Sequence, residues 1–318
     1  MKKVIIFLCW NLIFCSVNAQ IHWVNLDSLY QPLPSSVHVF KSTDSLDGKP
    51  NVMYFTIADL ADKSLKFTTD TTYRRRITPS QFYQKNNKPL LVVNCSFFSF
   101  ATNQNLNVVI KNGKMVSYNE ATIAGRGHDT LTYSHSFFGA LGISKHRKAD
   151  VVWTYTDSAK KYAYASQTPV HFYRDSVDNI DLDHVKRNHG FSDFSKWKVE
   201  TAVSGGPVLL QNGEVRITND QERKFAGKAA HNLEPRTAIG YTKDNKLVVL
   251  VCEGRSPDAA GLSLAQLAMV LKNIGCVEAL NLDGGGSSCM LINGKETNSP
   301  SSKGIQRPVP SVFLIERK

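Results

Sequence analysis

The sequence predicts an α+β fold, a mixed and largely antiparallel sheet with few packed helices. Three observations carry this: many short runs of β-branched and aromatic residues, turn dipeptides between them, and one segment with helical periodicity. The runs cover 52–57, 90–94, 106–110, 137–143, 151–155, 199–204, 237–241, 247–252, 277–282 and 311–315. Most are rich in Val, Ile, Phe and Tyr, which pack well on a pleated surface. Asn112-Gly113, Asn212-Gly213 and Asn293-Gly294 each lie between apolar runs; they predict tight hairpins, because both positions of the favoured two-residue turn need positive φ. Asp244-Asn245 predicts a fourth turn. The helix starts after Ser263, whose hydroxyl can cap free N–H groups. Leu264, Leu267, Ala268, Leu271 and Ile274 then recur at helical spacing, and Gly275 supplies the stop. The helix follows the run ending near Cys252 and precedes the one starting at Val277, the strand-helix-strand order of a layered sheet.

With 318 residues, 42% hydrophobic and 20% charged, the chain is long and apolar enough to bury a core and is neither disordered nor fibrous. Length alone allows one large domain or two. The first nineteen residues read as an export signal: Lys2 and Lys3, an apolar run over 4–14, then Val17-Asn18-Ala19 before Gln20. The apolar run is short for a bilayer span and is interrupted by Asn11. Phe14 stands where a lipoprotein signal ending at Cys15 needs a small residue. The expected organisation is a signal over 1–19, N-terminal strands over 20–87 packed on the main domain, and that domain over 88–318. The expected location is outside the cytoplasm: periplasmic, cell-surface or secreted.

Two of the 38 basic residues leave with the signal, so 36 remain against 27 acidic ones, a formal charge of +9. A basic surface serves solubility alone, or attracts an anionic substrate or envelope polymer. Export and the lack of a helix packed with Lys and Arg argue against nucleic acid. Cys95, Cys252, Cys276 and Cys289 remain, none in a CxxC pair and each in or beside an apolar stretch. They are expected to be mostly free and buried; if the oxidising compartment imposes a bridge, Cys252 with Cys276 is the pair to test.

No G-x-S-x-G elbow, H-E-x-x-H, Walker loop or dinucleotide fingerprint is present. The stretch 156–198 is polar, aromatic and poor in strand pattern, an insertion or lid. Its Asp178, Asp181, Asp183, His184 and His189 are residue types that bind divalent ions, but their spacing fits no motif and a solvated loop is the preferred reading. Asn281-Leu282-Asp283-Gly284-Gly285-Gly286-Ser287-Ser288 leaves an apolar run, meets a carboxylate and passes through three glycines into two hydroxyls. Such a turn can bring backbone N–H groups to an anionic oxygen; a Gly-rich bulge accounts for it equally well. Glu234-Pro235-Arg236-Thr237-Ala238 and Glu253-Gly254-Arg255 would meet at one end of a hairpin, gathering carboxylates and guanidiniums. That suits phosphate or carboxylate recognition, or simple surface ion pairs. Ser204-Gly205-Gly206-Pro207 opens a further hairpin.

Together these segments resemble the phosphodiester glycosidase family. The resemblance rests on Ser204-Gly205-Gly206-Pro207-Val208-Leu209, on Pro235-Arg236-Thr237-Ala238-Ile239-Gly240, on Glu253-Gly254-Arg255 with Gly261-Leu262-Ser263-Leu264 and Leu267-Ala268, and on the run from Ala279 to Ser287. It extends over about 88–316. Two departures stand out: Asn94-Cys95-Ser96-Phe97-Phe98 replaces the family's usual Asn-Gly-Gly-Phe-Phe, and Glu253 stands where relatives often carry Asp.

The resemblance implies hydrolysis of a sugar-1-phosphodiester, with release of the sugar from a phosphorylated glycan or envelope polymer. It assigns Arg236 and Arg255 to the phosphate, the backbone of Gly284, Gly285 and Gly286 to its other oxygens, Asp283 to general acid/base work, and Glu253 to a second carboxylate or to orienting an arginine. Asn94, Thr237 and Ser287 are expected as secondary polar contacts, with Ser204, Gly205 and Gly206 at the substrate side. No cofactor is required, and a divalent cation is compatible. Two other readings stay open: an ordinary glycosidase with two carboxylates and a neutral substrate, and a phosphoglycan-binding module without turnover.

Overall fold

The computed structural model describes residues 21–125, 131–174 and 194–318. The expected export signal over 1–19 and the Asp178–His189 set lie outside the described residues. All ten expected strands appear within a few residues of their predicted bounds, and the turns behave as their sequences require. Asn112, Asn212 and Asn293 have φ of 50°, 53° and 49°, with the following glycines at 72°, 79° and 80°. Asn245, in the fourth turn, has φ 64°.

The largest sheet has eight strands, in the order Val24–Asn25, Val37–Ser42, Met53–Asp59, Lys246–Cys252, Arg236–Thr242, Cys276–Asn281, Val208–Gln211 and Glu214–Val215. A five-stranded sheet runs Lys295–Glu296, Met290–Ile292, Leu91–Asn94, Ser311–Arg317 and Leu65–Thr71. A seven-stranded sheet centres on Ala149–Tyr155, Phe138–Ile143 and Thr201–Ser204, and a small three-stranded sheet completes the set. The expected mixed sheet is antiparallel in every pair among the described residues. The reason lies in the strand-helix-strand unit itself. Lys246–Cys252 and Cys276–Asn281 do run the same way, but Arg236–Thr242 sits between them and pairs antiparallel with both.

The helix Leu264–Ile274 is built as its sequence predicts. The Ser263 hydroxyl accepts from the Gln266 N–H at 3.2 Å, the Gln266 side chain accepts from the Ser263 N–H at 3.0 Å, and Gly275 closes the helix at φ 101°. Its Leu264, Leu267, Ala268 and Leu271 pack on Val248, Leu250 and Cys252 of one sheet face. Alternation along the same strand sends Leu247, Val249 and Val251 to the opposite face. There they meet Leu91, Val93, Phe313 and Ile315 of the five-stranded sheet and Leu141, Val151, Trp153 and Val203 of the seven-stranded one. The inner faces of three sheets thus share one core. The second helix, Pro79–Lys85, covers the outer face of the five-stranded sheet through Phe82.

Residues before 88 are woven into this architecture. Met53–Asp59 pairs along the length of Lys246–Cys252, and Leu65–Thr71 along the length of Ser311–Arg317. Cys95, Cys252, Cys276 and Cys289 are all free and buried. Among the described residues no helix is long and apolar enough to cross a membrane.

The reciprocal cap makes a defined contribution to stability. Ser263→Ala is expected to cost about 1 kcal/mol and lower the melting temperature by roughly 2–4 °C in a thermal melt, with little change in the folded-state circular dichroism spectrum.

Candidate active site

The site forms where Leu91–Asn94, Arg236–Thr242 and Cys276–Asn281 end beside one another. Asp283 is held there by its backbone: its N–H donates to the Cys95 carbonyl at 2.8 Å, and its own carbonyl accepts from Asn94 Nδ2 at 2.5 Å. Leu282 N–H donates to the Thr237 carbonyl at 2.8 Å. Asn94 Oδ1 accepts from Thr237 Oγ1 at 3.0 Å and from the Cys289 N–H at 3.1 Å. Asn94 and Thr237 are fully buried. Their hydrogen bonds tie the two sheets together beneath Asp283.

Asp283 itself is only partly covered, but its Oδ2 is shielded from solvent and has no hydrogen-bond partner among the described residues. Burial pushes its pKa up to about 6, against the opposing pull of the Ser287 hydroxyl, the Arg307 guanidinium, the Gly284 N–H and the Lys224 ammonium. The carboxyl is thus poised to exchange a proton near neutrality.

The three glycines work differently from the expected amide cradle. Gly285 N–H is taken by the Pro235 carbonyl at 2.7 Å, and the Gly284 N–H acts on the Asp283 carboxylate. What the glycines provide is room. A Cβ at Gly286 would collide with the Arg307 guanidinium, and one at Gly285, where φ is 58°, would crowd that of Arg255. Two cationic side chains consequently lie against the turn. Arg307 Nη1 also reaches Ser287 Oγ at 3.4 Å.

The two predicted arginines part ways. Arg255 is exposed and pairs through Nε with Glu234 Oε2 at 2.6 Å. Arg236 is buried; its Nε donates to the Leu262 carbonyl at 2.8 Å and its Nη2 to that of Asn232 at 3.0 Å. Desolvation pushes its pKa down to about 10. Arg236 thus pins the loops before the helix, while Arg255 keeps a guanidinium face at the turn. Glu253 is not brought to Asp283: its Oε1 accepts from the Ser299 N–H at 2.8 Å, and Lys41 and Asp258 are the charges acting on it. Among the described residues no hydrogen bond joins Glu253 to Asp283.

Ser204, Gly205 and Gly206 are scaffold. Ser204 Oγ donates to the Gly139 carbonyl at 2.7 Å, and Gly205 packs on the Asn281 backbone. Gly206, at φ 104°, leaves the space that Glu222 and Lys224 occupy. Glu222 is fully buried and accepts from the N–H groups of Gly139 and Val208, from Trp153 Nε1 and from Thr218 Oγ1, at 2.9, 2.9, 3.1 and 2.6 Å. Two residues of the site escaped the sequence reading. Arg307 lies in a loop near the C-terminus, far from the motif in the chain. Lys224 comes from a polar stretch; its Nζ sits 4.5 and 4.3 Å from the Phe97 and Phe138 ring centres and 3.3 Å from Asn107 Oδ1. Burial pushes its pKa down to about 8 although Glu222, Glu120 and Asp283 oppose it.

Cys95 is buried, donates to Ser311 Oγ at 3.3 Å, and has its thiol pushed up to about 11 by desolvation. It is a thiol, not a thiolate, at neutral pH. Among the described residues no three His, Cys, Asp or Glu side chains gather as a metal site.

Residues 87–316 match the sequence model of one family, phosphodiester glycosidase. The chain belongs to that family. Its relatives include the mouse (Mus musculus) N-acetylglucosamine-1-phosphodiester alpha-N-acetylglucosaminidase, 31% identical over 107 residues, which are 31% of this chain and 20% of the mouse protein. An uncharacterized SPbeta prophage-derived protein of Bacillus subtilis, YomE, is 38% identical over 81 residues, 26% of this chain and 12% of its own length. The matched stretch thus spans a fifth or less of these relatives. The zebrafish N-acetylglucosamine-1-phosphodiester alpha-N-acetylglucosaminidase catalytic domain, auto-inhibited by its pro-peptide, shares the fold. Its TM-score is 0.60 at 20% identity, covering 91% of this chain and 85% of that one.

The raised Asp283 pKa has a stability signature. A carboxyl whose folded pKa exceeds its ordinary value of 3.8 costs stability as pH rises through the folded value, about 6, and costs nothing below about 4. Asp283→Asn is therefore expected to be more stable than the wild type by about 1–3 kcal/mol at pH 8 and to lose that advantage by pH 4, read by denaturant unfolding at both values.

Proposed function

We propose that this protein is an exported hydrolase that releases a sugar from a sugar-1-phosphodiester of a phosphorylated glycan or envelope polymer. The observation that carries this reading is Asp283, a carboxyl of raised proton affinity set on a turn against which Arg307 and Arg255 lie, with Lys224 close enough to act on it. An acid/base set among several cations suits a substrate that carries its own negative charge. An ordinary glycosidase needs a second carboxyl about 5–10 Å from the first, and Glu253 has its contacts elsewhere. Family membership supports the same reaction class.

In this reading Arg255, Arg307 and Lys224 attract the phosphate, Ser287 and the turn Gly284–Gly286 shape its seat, and Asn94, Thr237, Arg236, Ser204, Gly205 and Gly206 hold the turn in place. Rupture of the anomeric carbon–oxygen bond releases a phosphate monoester whose second pKa is about 6, a leaving group that departs without a strong acid. Asp283 then works ionised, taking a proton from the attacking water. Rupture of the phosphorus–oxygen bond expels a far more basic sugar oxygen and would need Asp283 protonated. The two routes have opposite dependence on its charge. Export rests on the residues over 1–19.

Sugar release is to be measured on sugar-1-phosphodiesters beside matched neutral nitrophenyl glycosides. Turnover confined to the phosphodiesters is expected, with kcat about 10²–10⁴-fold lower in Asp283→Asn. Cleavage of the neutral set would establish the ordinary glycosidase instead, and tight binding without turnover a glycan-binding module. For the wild type, kcat/KM is expected to rise through about pH 6 as Asp283 ionises and to fall through about pH 8 as Lys224 loses its proton. A profile that only falls through pH 6 would assign Asp283 the acid role.

A further inference from the structure

Next to the tri-glycine turn lies a group of arginines and aromatic rings of which the reaction above uses only Arg307. The segment Tyr73-Arg74-Arg75-Arg76 carries three adjacent guanidiniums. Arg76 Cζ stands 5.1 Å from the centre of the Phe100 ring and 5.3 Å from that of Phe98. Arg307, already against Gly286 and Ser287, stands 5.6 Å from the same Phe100 ring. A continuous path therefore runs from Asp283 through Arg307 and Phe100 to Arg76. Phe100 is 62% exposed and Tyr73 76% exposed, with Arg74 Cζ 5.2 Å from the Tyr73 ring.

Among the described residues none of Arg74, Arg75, Arg76 or Arg307 forms an ion pair with a carboxylate. Arg74, Arg75 and Arg76 are thus three adjacent cations without a carboxylate ion pair among the described residues, and a large exposed ring beside them is not explained by solubility. Stacking orders the guanidiniums while leaving their edges free to donate in pairs to a phosphate. An exposed ring at the same place offers a flat apolar surface to the C–H face of a sugar. Cationic donors next to an open ring match a ligand that is anionic and saccharide at once.

Resting on the hydrolase reading, we propose that Arg76, Phe100 and the outer edge of Arg307 form an aglycone subsite for a second phosphate. The substrate class is then a glycan bearing successive phosphodiesters, and the charge one residue beyond the scissile linkage is part of what the protein recognises. Phe100 packs on the intervening sugar, and Arg76 takes the distal phosphate.

The test compares two sugar-1-phosphodiesters that differ only in the aglycone, one a neutral sugar and the other the same sugar carrying a phosphate monoester. The wild type is expected to favour the second about tenfold in kcat/KM, through KM, since one charge-assisted contact is worth about that factor. Arg76→Ala and Phe100→Ala should each bring the ratio towards one, with Arg76→Lys intermediate because it keeps the charge and loses the fork. Both side chains are at the surface, and the melting temperature of each variant checks that it folds. Equal kcat/KM for the two compounds in the wild type, or an unchanged ratio in both alanine variants, overturns the subsite. Affinities of the same compounds for Asp283→Asn, read by calorimetry, give the same ratio without chemistry. Absence of turnover with a tenfold binding preference would overturn the hydrolase reading and keep the subsite. An equal gain from a simple bisphosphate without sugar would reduce the effect to unspecific charge and overturn it.

Discussion

The Asn94 side chain is the interaction on which the site depends. It is fully buried at the end of a strand of the five-stranded sheet, donates to the Asp283 carbonyl, and accepts from Thr237 of the eight-stranded sheet and from the Cys289 backbone. An amide is suited to this because it offers donors and an acceptor in one rigid plane. Loss of any partner would leave a polar group stranded in a dry interior, a penalty of about 1–3 kcal/mol. That asymmetry makes the junction of two sheets specific rather than merely cohesive. The glycine turn inherits its position from it.

Above this junction the electrostatics are deliberately unbalanced. Asp283 is shielded enough to raise its proton affinity, yet Arg307 and Lys224 pull the other way. Lys224 is shielded enough to lose affinity, yet three carboxylates hold its proton. Neither group ends far from neutrality, so small changes in bound charge can move both. Glu222 shows the contrasting case: four donors surround one buried carboxylate, and its task is to shape the hairpin that places Lys224. Similar residue types thus serve chemistry or scaffold according to whether their hydrogen bonds are complete.

The local grammar of the chain was legible. Asn-Gly pairs read as hairpins because few residues tolerate two successive positive φ values, and the Ser263 to Gly275 helix read from its cap, its stripe and its stop, all set within a few neighbours. The strands over 37–42 and 65–71 were missed because their alternation is diluted by polar and charged residues; 65–71 is buried by pairing with 311–317, some two hundred and fifty residues away, and 37–42 by a neighbour, 53–59, that itself pairs with the distant 246–252. The expectation of some parallel pairing failed for a related reason: strand order in a sheet is a global property, and the strand lying between Lys246–Cys252 and Cys276–Asn281 precedes both in the chain.

The same division holds at the site. The sequence by itself determined the turn chemistry, the capped helix, the family motifs and the prominence of Asp283, because each is written in contiguous residues whose φ, ψ and period are local. Only the tertiary structure decided that Arg236 is spent on carbonyls, that Glu253 accepts from the Ser299 backbone, that the glycines make room for guanidiniums rather than present amides, and that Arg307 and Lys224 complete the charge around Asp283. Contacts of this kind depend on which strand ends converge and on how far water is excluded there, and both quantities come into being only when distant segments pack.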